Sequence, residues 1–191
     1  MRYRRLRQSG ATYFFTLVTG NRMPLFADDR NVALLRDVTK SVQIQHPFAI
    51  EAQVVLPDHL HALWSLPNGD DDFTTRWMLI KAGFSRIFRR ETLSGFASGL
   101  TPTYDYDKLR RANRGERSIW QQRFWEHLIR DDEDFANHIE YIHYNPVKHG
   151  LAKSPIDWPH STFKSFVDQG LYEAHWGSND MPPHPVWAGR E

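Results

Sequence analysis

Two strand-like segments with only two residues between them constrain the fold of this chain most. The segments "FAIEAQVVL" and "HLHALWSL" are rich in β-branched and aromatic residues, and only Pro57 and Asp58 separate them. So tight a connection joins antiparallel neighbours, because parallel strands need a crossover of a dozen or more residues. The sequence therefore predicts an antiparallel β-hairpin.

The patterns before the hairpin predict one strand and one helix. The segment "ATYFFTLVTG" has the residue types of a strand. From Asp28 to about Gln45, apolar residues recur at steps of three and four. This spacing is typical of a helix, with Asp28 or Asp29 as its N-cap.

The patterns after the hairpin predict a second helix, a fourth strand and a third helix. The segment "DDDFTTRWMLIKAGFSRIFRR" begins with acids and ends with bases, the order that suits a helix dipole. A strand is predicted over Phe124 to Ile129, and "RDDEDFANHIEYIHYN" is predicted to form a helix capped by Asp131 or Asp132. Between them, residues 92–118 show clustered charge without a sustained period, which predicts a mobile basic loop.

The order of these elements predicts a ferredoxin-like α+β fold. Strand, helix, strand, strand, helix, loop, strand, helix is the split βαβ arrangement with one helix added. We expect an antiparallel sheet with helices packed on one face, plus an added C-terminal catalytic helix. The expected organisation is a single domain over residues 1–170, followed by a C-terminal tail over residues 171–191.

The distribution of charge indicates a polyanion as partner. The net charge is only +1, but residues 1–26 carry five arginines and no acid, and residues 76–123 carry eleven basic against four acidic residues. These segments total +12, so the remainder carries 1 − 12 = −11. A solvated charged face would give the same count, but aromatic residues interleaved with the charges could stack on bases, which favours nucleic acid. These aromatic residues are Tyr3, Tyr13, Trp77, Trp120 and Trp125.

The charge pattern also selects individual candidate contacts with nucleic acid. They are Arg4, Arg5, Lys81, Arg86, Arg89, Arg90, Trp120, Arg123 and Lys148. The chain has no cysteine, which excludes disulfides and thiolate metal sites. No apolar run is long enough to span a membrane and the basic N-terminus lacks the apolar core of a signal peptide, so we expect a cytoplasmic protein without a membrane partner.

His59 and His61 form a candidate metal site. Residues two apart on a strand point to the same face, so both imidazoles can reach one divalent ion. With 10 histidines in 191 residues, chance alone gives about half of one such pair per chain. Two half-buried histidines with ordinary hydrogen bonds are therefore the alternative interpretation.

A flank of the last helix can complete this site. At 100° per residue, five polar residues lie within an arc of about 80° on that helix: Asp134, His138, Tyr141, Asn145 and Lys148. Asn145 is a candidate third metal ligand, although Pro146 is expected to interrupt the helix and to make this placing approximate. A tyrosine hydroxyl near an oxygen donor and a lysine suits chemistry at a phosphate.

The motifs taken together resemble a known family. "LPDHLHALWSLP", "DDDFTTRW", "IWQQRFWEHLIRDDEDF", "YIHYNPVKHGL" and "DWPHSTF" occur in an order similar to that in the REP-associated tyrosine transposases, which are single-tyrosine members of the HUH nuclease superfamily. The resemblance runs from about residue 4 to residue 170. The long basic loop and the tail beyond residue 170 depart from the compact members of the family.

The resemblance implies a function and roles for the site residues. His59, His61 and Asn145 would bind a divalent metal, Mg²⁺ or Mn²⁺, and Tyr141 would be the nucleophile. The expected activity is a single-stranded DNA endonuclease and strand transferase, which cleaves and rejoins DNA near palindromic repeat hairpins through a covalent 5′-phosphotyrosine. The protein would act as a monomer or a homodimer. Because a tyrosine hydroxyl titrates near pH 10, Tyr141 needs a base, for which His138 is a candidate.

Two other functions remain open from the residues alone. One is a DNA-hairpin-binding repressor that keeps the fold without the chemistry, and the other is a metal-dependent phosphodiester hydrolase in which bound water attacks.

Overall fold

The computed structural model describes residues 7–97 and 119–178, and the following account refers to these residues. Four strands form one sheet in the order β2-β3-β1-β4, and every neighbouring pair is antiparallel. The strands are β1 (Thr12–Val18), β2 (Ala49–Val55), β3 (His59–Ser65) and β4 (Trp125–Leu128). The predicted ferredoxin-like α+β fold is confirmed.

The predicted hairpin is the connection between β2 and β3. The amide of Leu56 donates to the carbonyl oxygen of His59 at 2.8 Å, which closes the turn around Pro57 and Asp58. Val55 and Leu60 are paired next in the ladder. The hairpin therefore places His59 at the very start of β3.

Four α-helices accompany the sheet in the described residues. They are α1 (Asp29–Gln45), α2 (Phe73–Ala97), α3 (Asp132–Lys148) and the short α4 (Phe163–Asp168). Asp28 caps α1 by accepting from the amide of Arg30, and Asp131 caps α3 by accepting from the amide of Asp134. Both caps follow from the Asp residues that precede the acidic first turns.

The two faces of the sheet have different coverings. Tyr13, Phe15 and Leu17 alternate onto the face that packs against α1 and α2, where they join one hydrophobic core. Phe14 and Ile142 belong to a second cluster on the opposite face, which α3 covers. The added helix thus covers one face with the short α4 packed beside it, and the two helices of the split βαβ unit lie on the other.

Two expectations about helix ends are wrong. α2 continues to Ala97, although the loop was expected to begin at Thr92, because a single Gly95 costs a helix only about 1 kcal/mol. Residues 98–118 of the predicted loop lie outside the described residues. α3 continues through Pro146 to Lys148, and the amide of Leu151 then donates to the carbonyl oxygen of Pro146 at 2.8 Å.

The first residues of the predicted tail pack against the domain. Tyr172 stacks on Phe163 of α4 with ring centroids 5.5 Å apart, and Trp176 stacks on Tyr172 at 4.6 Å. The remainder of the predicted tail, residues 179–191, lies outside the described residues. Among the helices of the described ranges, none combines the length and the apolar character that crossing a bilayer requires.

Candidate active site between β3 and α3

His59 and His61 lie together on the face of the sheet that α3 covers. The pairing of β3 with β1 sets His61 opposite Thr16 and His59 opposite Val18. The two ring centroids are 5.1 Å apart, and the side chains are 4% and 1% exposed. The alternation expected from the sequence therefore does bring both imidazoles to one place.

Neighbouring side chains hold the Nδ1 atom of each imidazole. His59 Nδ1 donates to Asp58 Oδ1 at 2.6 Å, and His61 Nδ1 lies 2.9 Å from Thr16 Oγ1. Because the Asp58 carboxylate can only accept, Nδ1 of His59 is the donor, and the lone pair of the neutral His59 ring is on Nε2. Such a partner behind each histidine is typical of metal-binding imidazoles, because it fixes the tautomer and the ring orientation.

The pKa values of this region suit a neutral histidine beside a carboxylate. Burial lowers the pKa of His61 well below its ordinary value, and the basic side chains around it lower it further. Burial acts to raise the pKa of Asp58, but hydrogen bonds from His59 and Arg22 bring it below its ordinary value. At neutral pH His61 is uncharged, which a metal ligand must be.

α3 carries Asn145 to the same place. Tyr141 lies one turn before Asn145 with its ring 5.1 Å from that of His61, and His149 lies one turn after it with its ring 5.3 Å from that of His59. Asn145 is therefore held between the two contacts. It is fully buried, and its Oδ1 and Nδ2 have no hydrogen-bond partner among the described residues.

The residues present fit a divalent cation. His61 Nε2, like the Asn145 amide, is buried and has no hydrogen-bond partner in the described ranges. Buried polar atoms are rarely left in this state, because each costs about 1–3 kcal/mol. Two imidazole nitrogens and one amide oxygen would supply three ligands and keep positions open for oxygens of a substrate.

Tyr141 lies at the edge of this group. Its side chain is 8% exposed, and its ring is tilted edge-on to His61 and to Phe14. The ammonium of Lys148 stands 5.0 Å from the centre of the Tyr141 ring. The predicted helix flank thus faces the sheet, and its Tyr141 lies beside the ammonium of Lys148 and the histidine pair.

The other residues of the flank belong to a second cluster, which includes His127. His127 Nε2 lies 2.8 Å from Asp134 Oδ2, and His138 Nδ1 lies 2.7 Å from the carbonyl oxygen of Asp134. The rings of His127 and His138 are stacked with centroids 4.8 Å apart. The sequence analysis missed His127, although its position two residues after Trp125 on a predicted strand is the signal that places it on this face.

This second cluster is a possible His/Asp metal site in composition. One potential ligand atom from each of His127, Asp134 and His138 lies within 4.8 Å of the others. However, Asp134 Oδ2 already accepts from His127 and from the amide and Nε of Arg130. Burial acts to raise the pKa of Asp134, but these hydrogen bonds bring it to about 2. The oxygen's acceptor capacity is used within the protein.

The structure separates the predicted nucleic-acid contacts into several classes. Arg4 and Arg5 lie outside the described residues. Lys81 donates to the carbonyl oxygen of Gln121 at 2.7 Å, so its ammonium ties α2 to the segment before β4, and its contact with DNA stays a prediction. The exposed candidates are Arg86, Arg89, Arg90, Arg123 and Lys148.

The assignment of Trp120 as a base-stacking residue is wrong. Trp120 is 2% exposed and packs against Phe26 and Phe84 in the core. Tyr13 and Trp77 are buried in the same way, with 0% and 2% exposed. These rings stabilise the core, because burying a large aromatic side chain is favoured by the hydrophobic effect.

Arg76 was counted with the basic segment, but it does not contribute to an exposed basic surface. It is 3% exposed and pairs with the carboxylate of Asp70. Trp125 differs from the buried aromatics, since it is partly exposed and stands edge-on to Phe14, 5.6 Å away, on the face of the histidine pair.

Comparison with known proteins identifies the family. A REP-associated tyrosine transposase of Escherichia coli (strain K12) is 40% identical over 177 residues, which cover 93% of this chain and 91% of that protein. A protein of Haemophilus influenzae (strain ATCC 51907 / DSM 11121 / KW20 / Rd), provisionally given the same name, is also 40% identical over 177 residues, 93% of each chain. No family model matches the chain.

A solved structure has the same fold over the whole length. It is described as a REP-associated tyrosine transposase bound to a REP hairpin, with a TM-score of 0.71 and 37% identity, and it covers 100% of this chain and 99% of that one. Identity at this level over nearly all of both proteins carries the family with it, so the chain belongs to the REP-associated tyrosine transposases.

Proposed function

We propose that the chain is a metal-dependent enzyme that cleaves and rejoins single-stranded DNA next to a hairpin, with Tyr141 as nucleophile. The observation that carries this proposal is the group of buried polar atoms beside Tyr141. His61 Nε2 and the Asn145 amide have no hydrogen-bond partner among the described residues, and the Tyr141 ring lies 5.1 Å from that of His61. Such atoms are explained when a ligand satisfies them.

His59, His61 and Asn145 would hold the cation. Asp58 and Thr16 orient the two imidazoles from behind, at 2.6 and 2.9 Å. Bound Mg²⁺ or Mn²⁺ would polarise the nonbridging oxygens of a phosphodiester and orient it for attack. A neutral ligand set leaves the ion its full charge for this purpose.

The covalent step follows from the position of Tyr141. Its hydroxyl oxygen would attack phosphorus as the bond to the 3′ oxygen breaks, which leaves a 5′-phosphotyrosine and a strand that ends in a 3′ hydroxyl. The hydroxyl proton passes to a base and the departing oxygen takes one up. The ammonium of Lys148, 5.0 Å from the ring, would stabilise the negative charge that develops on the tyrosine oxygen.

The substrate class is inferred from how a phosphate can approach Tyr141 and from the REP hairpin bound in the related solved structure. Tyr141 is 8% exposed where α3 packs on the sheet, and a phosphate must come within about 3 Å of its hydroxyl. An unpaired strand can bend towards such a position, whereas a stacked duplex holds its phosphates in a rigid wall. The related solved structure is bound to a REP hairpin. We therefore expect cleavage in an unpaired flank of a hairpin.

Covalent trapping tests the proposal. The protein is incubated with Mn²⁺ and an end-labelled hairpin oligonucleotide with unpaired flanks, and label that survives SDS is measured. We expect an adduct in the natural protein and none with Tyr141→Phe, which removes one oxygen and little packing. Tyr144→Phe is the matched control, because Tyr144 is on the same helix and partly exposed but away from the histidine pair.

The other outcomes select other functions. Binding without an adduct or cleavage would indicate a repressor that keeps the fold. Metal-dependent cleavage that persists in Tyr141→Phe would indicate a hydrolase that uses bound water. Equal cutting of fully paired duplex would contradict the proposed hairpin substrate.

A further inference from the structure

A strained turn stands next to the histidine pair. Asn21 and Arg22 have φ angles of 54° and 50°, and they are the non-glycine residues of the described chain with positive φ. The left-handed conformation costs such residues about 1–2 kcal/mol each. Strain of this kind persists where surrounding contacts impose it, and it clusters at sites that bind ligands.

Several hydrogen bonds impose this conformation. The amide of Thr19 donates to the carbonyl oxygen of Asp58 at 2.9 Å, and the amide of Gly20 donates to that of Ile119 at 2.8 Å. Thr19 Oγ1, fully buried, lies 2.7 Å from the carbonyl oxygen of Met23 and 2.9 Å from that of Asp58. The turn is therefore fixed to the residue that precedes His59.

The turn places Arg22 beside Asp58, the partner of His59. Arg22 Nη1 donates to Asp58 Oδ2 at 3.2 Å, and the other oxygen of this carboxylate accepts from His59 Nδ1 at 2.6 Å. The side chain of Arg22 is 49% exposed, and that of Asp58 is 20% exposed. A guanidinium has five N–H donors, so four remain after the contact with Asp58, and they have no partner in the described ranges.

Two further basic residues approach the pair from the opposite side. The end of α3 brings Lys148 to 5.0 Å from the Tyr141 ring and His149 to 5.3 Å from the His59 ring, and both side chains are exposed. The histidine pair is thus bordered by basic groups from two elements.

We propose that Arg22, together with Lys148 and His149, forms a binding site for a phosphodiester of the nucleic-acid strand that lies over the histidine pair. Arg22 would give a forked contact to nonbridging oxygens while it keeps its bond to Asp58. Lys148 and His149 would bind the same phosphate or the next one from the far side. The inference rests on the proposed function for the identity of the strand, and it deepens that function by naming residues that hold the backbone.

Arg22 has one competing role, which the experiment must separate. Through Asp58 it could merely orient His59, and its replacement would then weaken metal binding. A phosphate contact instead predicts a loss of DNA affinity in the absence of metal. The two quantities are measured on the same protein, by fluorescence anisotropy with a single-stranded oligonucleotide in EDTA and by isothermal titration with Mn²⁺ without DNA.

We expect Arg22→Gln to weaken metal-free DNA binding about tenfold at low salt and to reduce the slope of log K against log salt by about 0.7, the value for one lost phosphate contact on a single strand. The Mn²⁺ dissociation constant should change less than threefold. Arg22→Lys should bind DNA with intermediate affinity, because it keeps the charge and loses the fork. It also carries the test if the glutamine variant does not fold.

Arg30→Gln is the matched control. Arg30 is an exposed arginine that also pairs with a carboxylate, that of Asp28, but it does so at the start of α1. Unchanged DNA affinity in both Arg22 variants, or a loss that appears only as weaker Mn²⁺ binding, would overturn the inference. Because these measurements need no cleavage, they hold whether or not the covalent adduct forms, and the two proposals can fail separately.

Discussion

The His59–His61 pair and the His127–Asp134–His138 cluster lie on the same face of the sheet, on either side of Phe14. The Phe14 ring is 5.4 Å from that of His61 and 4.7 Å from that of His138. Both groups combine histidines with residues of α3; His59, His61 and His138 are buried, and His127 is partly exposed. They differ in what their polar atoms already bind.

In the first group the Nδ1 atoms are held and the outer atoms of His61 and Asn145 have no hydrogen-bond partner among the described residues. In the second, Asp134 accepts hydrogen bonds from His127 and from Arg130, and the bond from His127 links β4 to α3. The difference teaches that two groups of similar residue types are distinguished by the hydrogen bonds that their polar atoms already make.

The sharpest way to break the comparison is to remove one histidine from each group. We expect His61→Ala to weaken Mn²⁺ binding about 100-fold or more, because it removes a direct ligand, a larger loss than that of an outer partner. His138→Ala should leave the affinity within about threefold. Isothermal titration measures both, and a larger loss in His138→Ala would exchange the roles assigned to the two groups.

The second cluster is expected to contribute to the free energy of unfolding. The pKa of Asp134 is about 2 in the folded protein and 3.8 in its ordinary state. A lowered pKa stabilises the fold above pH 3.8, and the contribution is lost as the pH falls through 2. We expect Asp134→Asn to lower the free energy of unfolding by about 2 kcal/mol at pH 7, with Mn²⁺ affinity unchanged.

Urea unfolding at a series of pH values checks this expectation. The difference between the natural protein and Asp134→Asn should shrink between pH 4 and pH 2. Asp37→Asn, at an exposed position on α1, should show no such dependence. A pH-independent difference would mean that Asp134 acts through packing alone.

A smaller effect tests whether the partners behind the histidines matter. Thr16→Val removes the contact to His61 Nδ1 at 2.9 Å and keeps the shape of the side chain. We expect Mn²⁺ affinity to fall about tenfold. Thr12→Val is the control, since Thr12 is on the same strand and bonds Ser65, outside the site, at 2.7 Å. Equal affinities in the two variants would remove the orienting role of Thr16.

The smallest effect concerns charge that lies outside both groups. Arg86, Arg89 and Arg90 are exposed on the later half of α2, where Phe84 contacts Trp120 beside the end of β1. Replacing all three by Gln should flatten the slope of log K for single-stranded DNA against log salt, with several-fold weaker binding and unchanged Mn²⁺ affinity. The exposed pair Arg36 and Lys40, changed to Gln, is the control. An unchanged slope in the triple variant would place the DNA path elsewhere.

Local pattern was enough for much of the fold. The two residues at Pro57 and Asp58 determined the hairpin, and the Asp caps determined where α1 and α3 begin, because these features depend on neighbours in the chain. Local pattern was not enough for the end of α2. The glycine in the last turns lowers helix propensity, but the helix continues to Ala97, which the local pattern did not predict.

Burial could not be read from residue type. Trp120 and Lys81 looked like surface groups for DNA, yet one is a core residue and the other binds a backbone carbonyl. An aromatic ring favours the core and a DNA-binding surface equally in sequence terms, and only the neighbours that fold against it decide between them.

The sequence by itself determined that His59 and His61 share a face and that Tyr141, Asn145 and Lys148 share a helix flank, because strand and helix periods are local geometry. Only the tertiary structure decided that this flank covers that face, with the Tyr141 and His61 rings 5.1 Å apart. It alone brought Thr16 and Arg22 behind and beside the pair, and it alone joined His127 to Asp134. These contacts depend on strand register and on the packing of α3, which no local period encodes.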